Sequence, residues 1–411
     1  MQSLTEKGIK RLEWAKNHMK VIGKVKKEIK DEGYLDEKNI SMALHVEAKT
    51  GILALSLREA GANVRMASCN PLSTDDSVAN ALRDEYNMDV FARRGESQKE
   101  YYDNLIKTLK HGPNIIIDDG GDLISLVHKE YDHLIKDIYG GSEETTTGVV
   151  RLRAMEKKNA LRFPIISVND AYMKHLFDNR YGTGQSTIDG LLTATNLQLS
   201  GKKFLVVGYG WCGKGIAMRA KGMGADVMIS EVDPIKAVEA KMDGFEVLPA
   251  EKGIRKSDFV VTATGCKNVI DEKEIKNAKD GCILANSGHF DNEISKPTLD
   301  KFSVDKEIVR EDIVKYNMKD GRNIYLLADG RLVNLAIGQG HPAEIMDMSF
   351  SLQMLSAEYL VKNKNLEPQV YKVPKELDEK VARLRLALDD IEIDSLTQEQ
   401  IKYLESWEEG T

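Results

Sequence analysis

The sequence predicts an α/β fold with two doubly wound parallel-sheet domains and a small helical C-terminal tail. Three observations carry this. Short apolar runs alternate with helix-period segments across residues 40–170. The same rhythm restarts at Lys202 with a strand, a glycine turn and a helix. Beyond Gly340 the pattern turns wholly helical and then strongly charged. Strands separated by helix-length stretches pair in parallel, with helices on both faces. The domain boundaries are drawn at 1–182, completed by 342–373; at 183–341; and at 374–411 for the tail.

The elements follow in order. Residues 1–30 read as one helix, because Leu4, Ile9, Leu12, Trp14, Ala15, Met19 and Ile22 roughly follow a helical stripe among lysines. Residues 40–46 are a strand, and the helix after them stops at Gly61. Residues 63–68 are the next strand, followed by a helix from Asp76. The apolar runs before Asp118-Asp119 and before Asn169-Asp170 are further strands. In the second unit, strands are expected before Gly208 and Glu231, and in FEVLPA, SDFVVTATG, GCILANSG and NIYLLADG. Residues after Gly340 form a long amphipathic helix.

Composition limits the function. The chain has 411 residues, 42% hydrophobic and 30% charged, with a net charge of −7. That excludes a disordered chain and disfavours a nucleic-acid binder. The four cysteines are scattered without a CxxC, which fits a reduced cytoplasm. The charged N-terminus lacks a signal-peptide core. No apolar run approaches the ~20 residues needed to span a bilayer. No cysteine or histidine spacing suits a metal, and there is no HExxH or GxSxG. His128 and His133, five apart, would sit about 140° apart on a helix.

Gly208, Gly210 and Gly213 form G-x-G-x-x-G between a strand and a helix. The first glycine makes the turn, the second admits a pyrophosphate, and the third lets helix pack on strand. Glu231 closes the next strand, where a carboxylate accepts from a ribose diol and repels a 2′-phosphate. NAD is therefore the expected cofactor. GYGWCGKG superficially fits a P-loop, but Gly215 stands where Ser or Thr is needed. Polar groups crowd the predicted strand ends: His45, Glu47, Lys49, Cys69, Asn70, Asp118, Asp119, Asn169 and Asp170. SEETTTG (142–148), KHLFDN (174–179), NSGHFD (286–291) and residues 330–342 are equally rich in such side chains. In α/β sheets ligands bind beyond these ends, which suggests a substrate cleft between two domains. Helix capping is the bland alternative for the Asp, Asn and Thr residues.

These segments, in this order, resemble the adenosylhomocysteinase family: CN (69–70), DDGGDL, SEETTTG, KHLFDN-x-YG, GYG-x-x-GKG, E-x-DPI, TATGC, N-x-GHFD, LADGRLVNL and GHP. The resemblance spans about residues 8–405. It implies a cytoplasmic homotetramer that hydrolyses a nucleoside–homocysteine thioether by transient oxidation at the ribose 3′ carbon, elimination, water addition and re-reduction, with NAD regenerated each cycle. Residues 1–182 would bind substrate and 183–341 NAD. By position, Lys174 and Asp178 match groups at the 3′-hydroxyl, Glu144 a ribose ligand, and Asp119 and His45 an acid/base pair. His289 matches a residue near the nicotinamide. Glu47, Lys49, Gln339 and His341 fall at the base end. Thr145, Thr146, Thr147, Asn179, the glycine turn with Gly215, Glu231, Ser287, Gly288, Asn334 and His341 match NAD contacts. As a base, Lys174 must shed its proton, which burial and neighbouring positive charge would encourage.

Four departures from the family stand out. Glu47 and Lys49 replace its usual Thr and Glu, of which the Glu accepts from the adenine 6-amino group. Lys236 replaces an Asn, and Thr183 a Cys. The usual lysine- and tyrosine-bearing tail is replaced by LESWEEGT. Gln339 also stands where Met is usual. A charged lysine only donates, so Lys49 suits the 6-oxo group of hypoxanthine. The resemblance thereby points to the branch acting on S-inosyl-L-homocysteine. Adenine as the preferred base, a conventional dehydrogenase and a non-catalytic NAD-binding relative are the rival readings.

Overall fold

The computed structural model describes residues 3–407. Strands β1 (Asn39–Ala43), β2 (Asn63–Ala67), β3 (Asp89–Phe91), β4 (Ile115–Asp118), β5 (Gly140–Glu143) and β6 (Ile165–Ser167) build a first sheet. Strands β7 (Lys203–Val207), β8 (Asp226–Ser230), β9 (Glu246–Val247), β10 (Phe259–Thr262), β11 (Cys282–Asn286), β12 (Ser303–Arg310), β13 (Ile313–Met318) and β14 (Asn323–Leu327) build a second. A last strand, β15 (Val370–Lys372), returns to the first sheet beside β6.

The first sheet runs β15-β6-β5-β4-β1-β2-β3, all parallel. The second runs β12-β13-β14-β11-β10-β7-β8-β9. The first reverses its strand order between β1 and β4, and the parallel part of the second between β7 and β10. Such switch points leave a crevice beyond the strand ends. The central strands of both sheets are buried on both faces. Ile40, Met42, Ile115 and Ile117 pack one way in the first, and Ala43, Ile116 and Ile165 the other. Helix Ala343–Lys362 is buried along most of its length and packs on the first sheet's helices. Among the described residues no helix is long and apolar enough to cross a membrane.

Several expectations need correction. The second sheet is mixed, because β12 and β13 form an antiparallel hairpin against β14. β12 is exposed along nearly its whole length, while β13 buries Ile313, Tyr316 and Met318. The N-terminal helix is two helices, Leu4–His18 and Lys20–Glu32, broken at Met19. The break is stabilised from far along the chain: the buried Asp347 carboxylate accepts from the amides of Val21 and Ile22, both at 2.8 Å. FEVLPA contributes only the two-residue β9. The tail holds helices Lys375–Leu388 and Gln398–Glu405; its last residues, 408–411, lie outside the described part.

Candidate active site and cofactor cleft

The carboxyl ends of β4 and β5 stack four carboxyls. Asp118 and Glu143 are register partners on the two strands, and Asp119 and Glu144 follow them. Asp118 is a cap: its oxygens accept from the amides of Asp119 (3.0 Å) and Ile124 (2.8 Å). Burial pushes it up to about 7. One oxygen of Glu143 accepts from Gly120 N (2.8 Å) and Thr145 N (2.9 Å), tying the two loops together. Burial, with Asp118 and Asp119 nearby, holds Glu143 well above the carboxylate range. A side chain at Gly148 would strike Glu143, which explains the glycine that ends SEETTTG.

Lys174 closes a short turn, Tyr172–Lys174, that runs into a π-helix, His175–Gly182. Such widened turns cluster at functional sites. Here it brings Asp178 and Asn179 onto the lysine. Lys174 Nζ lies 3.0 Å from Asp178 Oδ2 and 3.5 Å from Glu144 Oε1, and donates to Asn179 Oδ1 at 2.8 Å. The protein's own charged groups around Lys174 are therefore carboxylates, where positive charge was expected. Burial pulls Lys174 down, but Asp178 and Glu144 outweigh it and hold it above the ordinary lysine value. Burial would raise Asp178, yet Lys174 and His341 hold it far below the usual range. His341 Nδ1 pairs with Asp178 Oδ1, and Ser349 donates to Oδ2 at 3.0 Å. Glu144 is pushed up to about 8 by burial, with Lys174 opposing. Its Oε1 has no hydrogen-bond partner.

His45 stands beyond β1. Its Nδ1 meets Ser73 Oγ at 2.6 Å and its Nε2 lies 3.5 Å from Asp119. Burial lowers His45 to about 4, with Asp119 opposing, so the ring is neutral near pH 7. His289 arrives from the second unit, with Nδ1 3.7 Å from Asp119. Gly120 beside it takes φ +109°, and a Cβ there would lie 2.4 Å from His289 Nε2. The ligand atoms of His45, Asp119 and His289 lie within 4.8 Å of one another, so this trio could close on an ion. Sequence spacing gave no sign that these three side chains meet. Cys69 packs on Asp119, and burial raises its thiol well above the ordinary value. His128 binds Ile124 O, as a structural histidine does.

The second sheet contributes backbone. Gly208 takes φ +100°, and a Cβ at Gly213 would lie 1.9 Å from Gly208 O, the close helix-on-strand packing expected. A Cβ at Gly210 would meet nothing within 4 Å, so that side of the turn is open. Helix Trp211–Gly222 starts there, and its free amides and positive dipole end suit a pyrophosphate. Glu231 ends up beside the turn, accepting from Tyr209 N at 2.6 Å and also from Val232 N and Asp233 N. The residues present fit a dinucleotide. Gly215 instead packs on Arg180 O of the π-helix. Thr146 donates to Asn169, which also receives Asn179. Thr147 borders Gly265. Ser287 bonds Thr187, and Gly288 N donates to Asn286. Asn334 Nδ2 reaches His341 Nε2 and Ser186, with its Oδ1 unpartnered. Thr183, where the family has Cys, lies 3.3 Å from His341 Nε2 and also reaches the thiol of Cys212. Lys236 lies 4.0 Å from Asp233.

At the base end, Lys49 is buried. Its Nζ donates to Gln339 O (3.0 Å) and lies 2.6 Å from Glu47 Oε2. Glu47 is itself occupied: Oε2 accepts from Lys49 N, and Oε1 from Thr50 N and Oγ1. The Gln339 side chain is exposed; its backbone makes the contacts, including N to Asp189 Oδ2 (3.1 Å). A cleft of about 1260 Å³ opens here, lined by Lys49, Gly340 and His341 among others. Residue patterns missed three contributors: Ser349, Gln353 and Glu293. Glu293, raised by burial, accepts from Thr264 and Gly265 beyond β10. Ser349 and Gln353 read as an amphipathic stripe, and nothing local marks the carboxylates they reach.

Comparison with known proteins decides the family. The profile of the S-adenosyl-L-homocysteine hydrolase NAD-binding domain matches residues 179–340, and that of S-adenosyl-L-homocysteine hydrolase matches residues 2–133. The chain belongs to the S-adenosyl-L-homocysteine hydrolase family. Adenosylhomocysteinase of Thermoplasma volcanium is 59% identical over 98% of this chain and 99% of its own length. The Aquifex aeolicus adenosylhomocysteinase is 56% identical over 100% and 98%. S-inosyl-L-homocysteine hydrolase of Methanocaldococcus jannaschii is 53% identical over 100% and 98%. This hydrolase-family chain thus uses NAD as its cofactor, and its relatives carry both substrate names.

Proposed function

We propose that the protein catalyses NAD-dependent, reversible hydrolysis of S-inosyl-L-homocysteine to inosine and L-homocysteine. Lys49 carries the reading. Two of its three ammonium hydrogens are accounted for by Gln339 O and Glu47. The third is free to donate to the 6-oxo group of hypoxanthine. Both Glu47 oxygens already accept from protein groups, which leaves Glu47 poorly placed to take over an adenine amino group. The second reading, adenine preferred, is favoured by the Glu47 pairing, which offsets the charge of Lys49. The test is kcat/KM for the two thioethers. The inosyl substrate should exceed the adenosyl one by at least about tenfold, some 1.4 kcal/mol, and Lys49→Glu should shift the preference toward adenine. Equal or better turnover of the adenosyl thioether by the unmodified protein would restore adenine as the preferred base.

In this reading the first-sheet residues hold substrate, and Thr145–Thr147, Asn179, the glycine turn, Glu231, Ser287, Gly288, Asn334 and His341 hold NAD. Bound NAD⁺ would supply a hydride acceptor for ribose carbon 3′, making C4′–H acidic, and a positive ring that draws down Lys174. Lys174 Nζ takes the 3′-hydroxyl proton, and Asp178 at 3.0 Å stabilises the ammonium that results. Glu144 Oε1, which has no hydrogen-bond partner and lies 3.5 Å from Lys174 Nζ, accepts from the adjacent ribose hydroxyl. Asp119 takes the C4′ proton as homocysteine leaves as its thiolate, which solvent protonates, and hands a proton back to C4′ after water has added. His45, neutral near pH 7, takes a proton from the water that adds at C5′. His289, 3.7 Å from Asp119, stands at the nicotinamide side of the site. A homotetramer is the proposed assembly. Val232, Ile235, Val238 and Met242 leave an apolar stripe exposed, of the kind that self-association covers.

A further inference from the structure

Helix Ala343–Lys362 carries Ser349 and Gln353 one turn apart, both fully buried among apolar neighbours. Each reaches a carboxylate of the site. Ser349 donates to Asp178, and Gln353 Nε2 donates to Glu144 Oε2 at 2.5 Å. The other end of the Gln353 amide is also fixed, because Ser142 Oγ donates to its Oε1 at 2.5 Å. A buried amide is costly unless both ends are bonded, and here the two bonds leave it one orientation. With Oε2 of Glu144 engaged, Oε1 is the atom left for substrate.

We propose that Gln353 is a positioning residue that favours the ionised form of Glu144 and presents its Oε1 to the ribose, and that Ser142 sets the orientation of its amide. This rests on the functional reading that places Glu144 at a ribose hydroxyl. A donor to a carboxylate favours the charged form. The other charged groups facing Glu144 are Lys174, which also favours its ionisation, and Asp178 and Asp119, which oppose it. Without the amide, Glu144 would take up its proton at higher pH and become a weaker acceptor for the ribose hydroxyl.

Gln353→Met removes both polar atoms at nearly constant length. Two quantities are followed across roughly pH 6–10, bracketing the carboxyl. One is the single-turnover rate of bound-NAD reduction on mixing with the inosyl thioether. The other is the Kd of its 3′-deoxy analogue, which cannot be oxidised, measured by calorimetry. In the variant, the acidic limb of both should move up by about one pH unit, a roughly tenfold deficit at neutral pH that closes in alkali. Ser142→Ala, outside the helix core, should move both limbs the same way by less. A deficit of equal size at every pH, or limbs that stay in place in both variants, would overturn the proposal. The binding arm needs no turnover. Failure of the unmodified protein to oxidise any nucleoside thioether would therefore count against the functional reading, while the binding limbs still decide the role of Gln353.

Discussion

The two sheets end in opposite kinds of chemistry. Beyond β4 and β5 the first sheet presents buried carboxyls, with Asp118, Glu143 and Glu144 all held above their ordinary range. Beyond β7 and β8 the second presents a glycine turn, backbone amides and the acids Glu231 and Asp233, both spent on backbone amides. Desolvated ionisable groups are suited to moving protons. Amides and glycines are suited to holding phosphates without reacting. One sheet is therefore equipped to transform a ligand and the other to keep one. They meet where His289 of the second unit faces Asp119 of the first.

Substitutions should separate the two roles. The largest effect is expected for Lys174→Met. It should slow reduction of bound NAD on mixing with substrate by at least about 10³-fold, read by stopped-flow absorbance, while NAD affinity stays near normal. Loss of NAD binding in that variant would break the comparison. Gly213→Ala should do the reverse. Its Cβ would lie 1.9 Å from a backbone oxygen, so about 1–3 kcal/mol of stability should go, with weaker NAD binding visible in melts with and without cofactor. Glu231→Ala should narrow the NAD-over-NADP affinity ratio by about tenfold, roughly one charge repulsion of 1.4 kcal/mol. An unchanged ratio would assign the choice to another residue. The smallest effect is expected for Asp378→Ala. Asp378 accepts from Tyr172 N (2.7 Å) and Met173 N (2.8 Å), capping the turn that carries Lys174. Its loss should cost about 1 kcal/mol in a denaturant titration.

The second sheet's turn was legible because its physics is local. Strand, glycines, helix and acid lie within thirty or so consecutive positions, and each glycine has a steric reason. The first sheet's residues were legible as polar strand ends, and their roles only through resemblance. What sets their protonation was not legible. Ser349 and Gln353 come from a helix some 170–210 positions downstream, and Asp378 from the tail. The π-helix that brings Asp178 and Asn179 to Lys174 has no composition signature in HLFDNRYG. The wrong sign expected for Lys174 has the same origin, since its neighbours are set by tertiary packing. The hairpin of β12 and β13 was missed because its exposed strand lacks an apolar run. Met19 breaks the first helix for the sake of Asp347, a partner more than 300 positions away.

The central claim is that oxidation and reduction close within one cycle, so that the net reaction is hydrolysis. The direct measurement follows thiol release and absorbance at about 340 nm together in one multiple-turnover reaction with S-inosyl-L-homocysteine and excess NAD⁺. Free thiol should accumulate in proportion to substrate consumed, with no net rise in absorbance beyond the enzyme-bound amount. A rise stoichiometric with substrate, without thiol, would contradict the account and make the protein a conventional dehydrogenase.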